Sequence, residues 1–98
     1  MERKIIKDLG ATGHHRECEK LIADALKHGY EHGLIDGKQI KGRVGKSYKA
    51  QQHRIEVHIV SKKDTLHAHI DIHEDGVEQP LMLSYPITSE FRSKFAQA

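Results

Sequence analysis

With 98 residues, 37% of them hydrophobic and 31% charged, the chain has room for a single α+β domain over residues 1–98 with one thin core, which excludes a two-domain architecture. No apolar run approaches the length of a membrane span, so no membrane partner is expected, and the lone cysteine, Cys18, excludes an internal disulfide. The net charge of +2 hides an uneven distribution: Lys38 to Arg54 holds six basic residues and no acid, whereas Asp64 to Phe91 holds six acids and no lysine or arginine.

A lone thiol fits a reducing compartment, and no apolar segment follows Met-Glu-Arg-Lys as a secretory signal requires, so a cytoplasmic location is expected. A toxin domain cut from a larger secreted protein would share this composition. Nine histidines are several times the usual share for this length and add positive charge below about pH 6.5.

In residues 1–13, Ile5, Ile6 and Leu9 suit a short strand or a helical turn, with Gly10 and Gly13 marking a break. Thr12 is placed to cap the helix predicted over residues 14–28, where Cys18, Leu21, Ile22, Ala25 and Leu26 recur at the spacing of one apolar stripe. Gly29 is then expected at the helix C-cap, where a left-handed residue costs glycine little. His14 and His15 at the helix start are expected to be solvated, and His28 and His32 lie one turn apart at its end.

Residues 38–49 read as a first strand, with Ile40, Val44 and Tyr48 on one face and Lys41, Arg43 and Lys49 on the other. The clearest element is a hairpin of residues 53–60 and 65–73. Ile55, Val57 and Ile59 alternate with Arg54, Glu56 and His58; Leu66, Ala68, Ile70 and Ile72 alternate with His67, His69, Asp71 and His73. A turn centred on Lys62–Lys63, or a four-residue loop from Ser61 to Asp64, sets Ile59 opposite Leu66, His58 opposite His67, Glu56 opposite His69 and Arg54 opposite Asp71. Glu74-Asp75-Gly76 signals another turn. Residues 79–86 predict a fourth strand with Leu81, Leu83 and Tyr85 on one face, at the sheet edge because Pro80 and Pro86 bound it. Residues 88–97 predict a short helix capped by Thr88 or Ser89 that buries Phe91 and Phe95. The expected fold is therefore two-layer α+β: an N-terminal helix, a three- to four-stranded antiparallel sheet and a short C-terminal helix, αβββ(β)α, with both helices on one sheet face.

The other sheet face is the candidate site. Lys38, Lys41, Arg43, Lys46, Lys49 and Arg54 supply cations for a phosphate backbone beside His58, His67 and His69. This favours nucleic-acid binding, RNA in preference to DNA. Metal-free ribonuclease chemistry is an extension of it, with two of those histidines as base and acid near Arg54 or Lys41. The helix-then-sheet order resembles small toxin ribonucleases and double-stranded-RNA-binding-like domains in topology. No aromatic residue is expected on the face, which argues against a base-stacking platform.

Two other readings compete. A protein-binding module, a phage-type inhibitor or an immunity or antitoxin partner, or a homodimer, would use the basic and acidic stretches for electrostatic docking. A metal-dependent enzyme would use the His67-Ala68-His69 strand with His58 as three nitrogen ligands, a set that suits zinc, with Glu56 orienting a ring. Residues 66 to 72 resemble the His-hydrophobic-His strand of nickases and replication initiators that cut single-stranded DNA with a tyrosine. That resemblance implies Tyr30 or Tyr48 as the nucleophile.

Overall fold

The computed structural model describes residues 2–95. In chain order the elements are β1 (Lys4–Ile5), a 3-10 turn (Leu9–Thr12), α1 (His15–Glu31), β2 (Ile35–Asp36), β3 (Gln39–Ile40), β4 (Gly45–Lys49), β5 (His53–Lys62), β6 (Thr65–Glu74), β7 (Leu81–Pro86) and α2 (Ser89–Phe95). The fold is α+β, with a long helix, a short C-terminal helix and a five-stranded sheet ordered β1-β7-β6-β5-β4. Two features depart from the expected all-antiparallel sheet. β1 joins as a fifth strand, parallel to β7 through Lys4–Leu83 and Ile5–Ser84, so β7 is not an edge. The predicted first strand is also split. β2 and β3 form a separate small hairpin, and only Gly45–Lys49 enters the main sheet.

The apolar stripe of α1 packs on β4 and β5, with Cys18, Ile22, Ala25 and Leu26 fully buried against Ile55, Val57, Ala68 and Ile70. Burial raises the Cys18 thiol pKa, as suits a core residue. Thr12 assists the helix start differently from a simple cap. Its hydroxyl donates to the Leu9 carbonyl at 2.7 Å and accepts from the His14 amide at 2.9 Å, while His14 itself is the N-cap residue. The helix does not stop at Gly29 but runs one half-turn further. Gly29 is buried inside it because Ile35 of β2 sits against its backbone: an added Cβ would lie 2.5 Å from Ile35 Cδ1. At the other end of the chain Thr88 caps α2, its Oγ1 accepting from the Phe91 amide at 3.2 Å, and Phe91 is buried edge-on to Tyr85. The Phe95 side chain and residues 96–97 of the predicted helix lie outside the described part.

The β5–β6 hairpin forms with a different register. Lys63 and Asp64 have φ of 50° and 64°, so the turn is a two-residue loop of the type requiring positive φ at both central positions. Asp tolerates that region; the pair Lys62–Lys63 would place lysines at both positions. Moving the turn by one residue moves the pairing by two. Ile59 faces Ala68, Val57 faces Ile70 and Ile55 faces Ile72. A two-residue shift keeps every side chain on its face, so the apolar side remains apolar. No described helix is long and apolar enough to cross a membrane.

Candidate functional site on the open sheet face

The register decides who meets whom on the face away from α1. His58 is opposite His69, Val60 opposite His67, Glu56 opposite Asp71 and Arg54 opposite His73. The expected pairs His58–His67, Glu56–His69 and Arg54–Asp71 are not formed. Two carboxylates now face each other, a destabilising arrangement unless cations attend both. They do. Arg54 Nε lies 3.7 Å and His73 Nε2 3.4 Å from Glu56, and Arg3 attends Asp71.

Arg3 is the residue that sequence reading missed. The parallel pairing of β1 carries it across the sheet, where Nη1 donates to the carbonyls of Ile70 and Leu83 at 3.3 and 3.2 Å and Nη2 donates to Asp71 Oδ2 at 3.2 Å. Asp71 Oδ1 lies 2.8 Å from Nη1, an ion-pair contact without hydrogen-bond alignment. Nothing in Glu2-Arg3-Lys4 announces this; the signal is the strand pairing of distant segments.

β7 contributes Ser84, opposite His69 and only 2% exposed. Its hydroxyl lies 3.1 Å from His67 Nδ1 and fixes that ring. Donating, the hydroxyl leaves a proton on Nε2; accepting, it frees Nε2 as a base. Burial lowers the pKa of His67, with Lys62 adding to the effect. Burial also lowers the pKa of His69, followed by the Arg3 guanidinium; Asp71 opposes and His67 and Lys62 reinforce. Both rings are thereby held neutral at physiological pH.

His58 is positioned by the absence of a side chain. It is opposite Gly45, where a Cβ would lie 2.9 Å from His58 Cδ2, so its ring lies over the β4 backbone. A cavity of about 570 Å³ opens here, lined by Arg3, Arg43, His58, Val60 and His69 among others.

The predicted cations divide. Arg43 lines this cavity; Lys49 and Arg54 face each other further along the open face. Lys46 pairs with Val57 and so lies on the helix side of the edge strand. Lys38 and Lys41 belong to the β2–β3 hairpin, where Lys41 pairs with Asp36 at 3.3 Å. Neither tyrosine considered as a nucleophile joins the histidines. Tyr30 accepts a hydrogen bond from Arg92, and Tyr48, 41% exposed, lies on the helix side with its ring 5.9 Å from His53.

The arrangement offers the imidazoles of His58 and His69 beside the guanidinium groups of Arg3 and Arg43 in an open concavity, which suits an anion that also carries exchangeable protons. No protein-family model, curated protein or solved structure matches the chain.

Proposed function

We propose that this domain binds RNA by its phosphate backbone on the open sheet face, and that the same face cleaves it without a metal. The observation that carries the reading is the convergence of Arg3, Arg43, His58 and His69 on one concavity. Arg43 and Lys49 enter none of the ion pairs among the described residues and are available to phosphates. No phenylalanine or tyrosine stands among the lining residues, which favours recognition by backbone and shape over a base-stacking platform.

For cleavage, a neutral His69 takes the proton of a 2′-hydroxyl as that oxygen attacks phosphorus. The bond from phosphorus to the 5′-oxygen breaks, and the leaving oxygen receives a proton from His58 as general acid. Arg43 offsets the added charge on the phosphoryl oxygens. The products are a 2′,3′-cyclic phosphate and a 5′-hydroxyl.

Fluorescence anisotropy with labelled single- and double-stranded RNA tests binding. Two phosphate contacts, from Arg43 and Lys49, predict a loss of affinity of about 7- to 12-fold between 50 and 200 mM salt. Cleavage is read on gels in the presence of EDTA, with His69→Gln and His58→Gln as controls. Undetectable affinity for every RNA at low salt refutes the reading. Binding without cleavage refutes only the catalytic half.

A further inference from the structure

The second histidine group lies on the opposite face of the sheet, where α1 begins. His14 is the N-cap residue of α1, yet its side chain makes no capping hydrogen bond. Its ring is turned instead onto His53, the first residue of β5, with the two rings stacked at 4.2 Å and 25°. Glu17, one turn into the helix, projects from the same side as His14. One nitrogen of each histidine and a carboxylate oxygen of Glu17 all lie within 4.8 Å of one another. Glu74 closes the group. It is opposite His53 in the β5–β6 ladder, and its Oε1 lies 3.3 Å from His14 Nε2.

Two independent facts point to a ligand. His53 Nε2 is a buried nitrogen with no hydrogen-bond partner among the described residues, a costly state for a polar atom. The group also borders a polar cavity of about 460 Å³, lined by His14, Gln52, His53, Glu74 and Asp75, which gives an ion and its water a way in. The floor is held by the Asp75 amide, which donates to the Gln52 carbonyl at 3.0 Å.

We propose that His14, Glu17 and His53 form a binding site for a divalent transition-metal ion of the zinc class. Two imidazoles and a carboxylate match the donor preference of such ions. Metal–donor distances near 2.0–2.2 Å in a tetrahedron set the donors about 3.4 Å apart, so side-chain rotations of about 1 Å close the present triangle. One carboxylate, or two with Glu74, offsets the ion's charge. Glu74 serves either as the fourth ligand or as the acceptor that orients the His14 ring. The ion ties the start of α1 to the open end of the β5–β6 hairpin, and it owes nothing to the RNA face, whose histidines lie across the sheet.

Untagged protein, stripped with EDTA, is titrated with zinc chloride by calorimetry and with cobalt, whose visible absorption reports coordination geometry. The expected result is one equivalent bound at micromolar affinity or better, with a raised thermal midpoint. His53→Gln and, separately, Glu17→Gln weaken binding at least tenfold while circular dichroism shows a folded chain. The His58→Gln, His67→Gln, His69→Gln triple variant leaves it unchanged. The proposal is overturned if no equivalent binds, if both single variants bind as the parent does, or if the triple variant abolishes binding.

Discussion

Gly29→Ala separates two accounts of how α1 ends. In the structure Gly29 is inside the helix, and the new methyl would lie 2.5 and 2.6 Å from Ile35 Cδ1 and Cγ1 and 3.1 Å from Val44 Cγ1. Ordinary contact begins near 3.4 Å, so Ile35 must retreat by about 1 Å, and Ile35 is itself buried in β2, paired with Ile40 of β3. Overpacking of this kind costs about 2–3 kcal/mol, while replacing glycine by alanine within a helix returns about 1 kcal/mol. The net expectation is a loss of about 1–2 kcal/mol, read as a lower urea midpoint at unchanged slope. A double-mutant cycle with Ile35→Ala identifies the cause. Removing Cγ1 and Cδ1 opens the space the methyl needs, so the double variant is less destabilised than the sum of the single variants by about 2–3 kcal/mol, the overpacking cost relieved. Additive losses, or a Gly29→Ala variant more stable than the parent, would show that Ile35 does not press on this glycine and refute the packing argument.

Because the folded-state pKa values of His67 and His69 lie below the ordinary 6.5, the unfolded chain binds more protons as pH falls past that value. Stability contributed by these rings is therefore present above about pH 6.5 and drains away as pH falls through their lowered folded values. Urea melts at pH 7.5 and 5.5 should show that decline, and the His67→Gln, His69→Gln variant should flatten it. Arg3→Ala strips Asp71 of its guanidinium partner in a half-buried setting and should cost about 1–3 kcal/mol. Proton NMR should also find the His69 titration moved upward, because Arg3 depresses it. Asp64→Gly suits the positive φ at that turn position and should be neutral or stabilising by up to about 1 kcal/mol in thermal unfolding.

The legible parts of the fold were those set by local periodicity. The α1 stripe, the alternation in the β5–β6 hairpin and the Thr88 cap each need only neighbouring residues to be recognised. What escaped depends on pairing across the chain or on turn chemistry. β1 is two residues long and earns its place through Leu83 and Ser84, some eighty positions away. The hairpin register turned on whether Asp64 or Lys62 occupies a left-handed position, and alternation alone cannot distinguish registers two residues apart. Gly29 read as a terminus because a glycine after an apolar stripe usually is one; here its lack of a Cβ serves the packing of Ile35 instead.

The two histidine groups follow from one property of β5. Odd positions of that strand face α1 and even positions face away, so His53 shares its side with Ile55, Val57 and Ile59, whereas His58 stands with Glu56 and Val60. The same parity sends Glu74 toward α1 with Ile72, and His67 and His69 away from it. His53 thus carried a sequence signal: an imidazole at the mouth of an apolar face, a position where a polar ring needs a partner. Its partners come from His14 and Glu17, whose approach depends on how α1 lies over the sheet. Histidine content alone says nothing about shared chemistry. The pleat divides these rings into a group beside arginines on one face and a carboxylate-flanked pair on the other, and in the second His14, His53 and Glu17 bring their ligand atoms within 4.8 Å of one another.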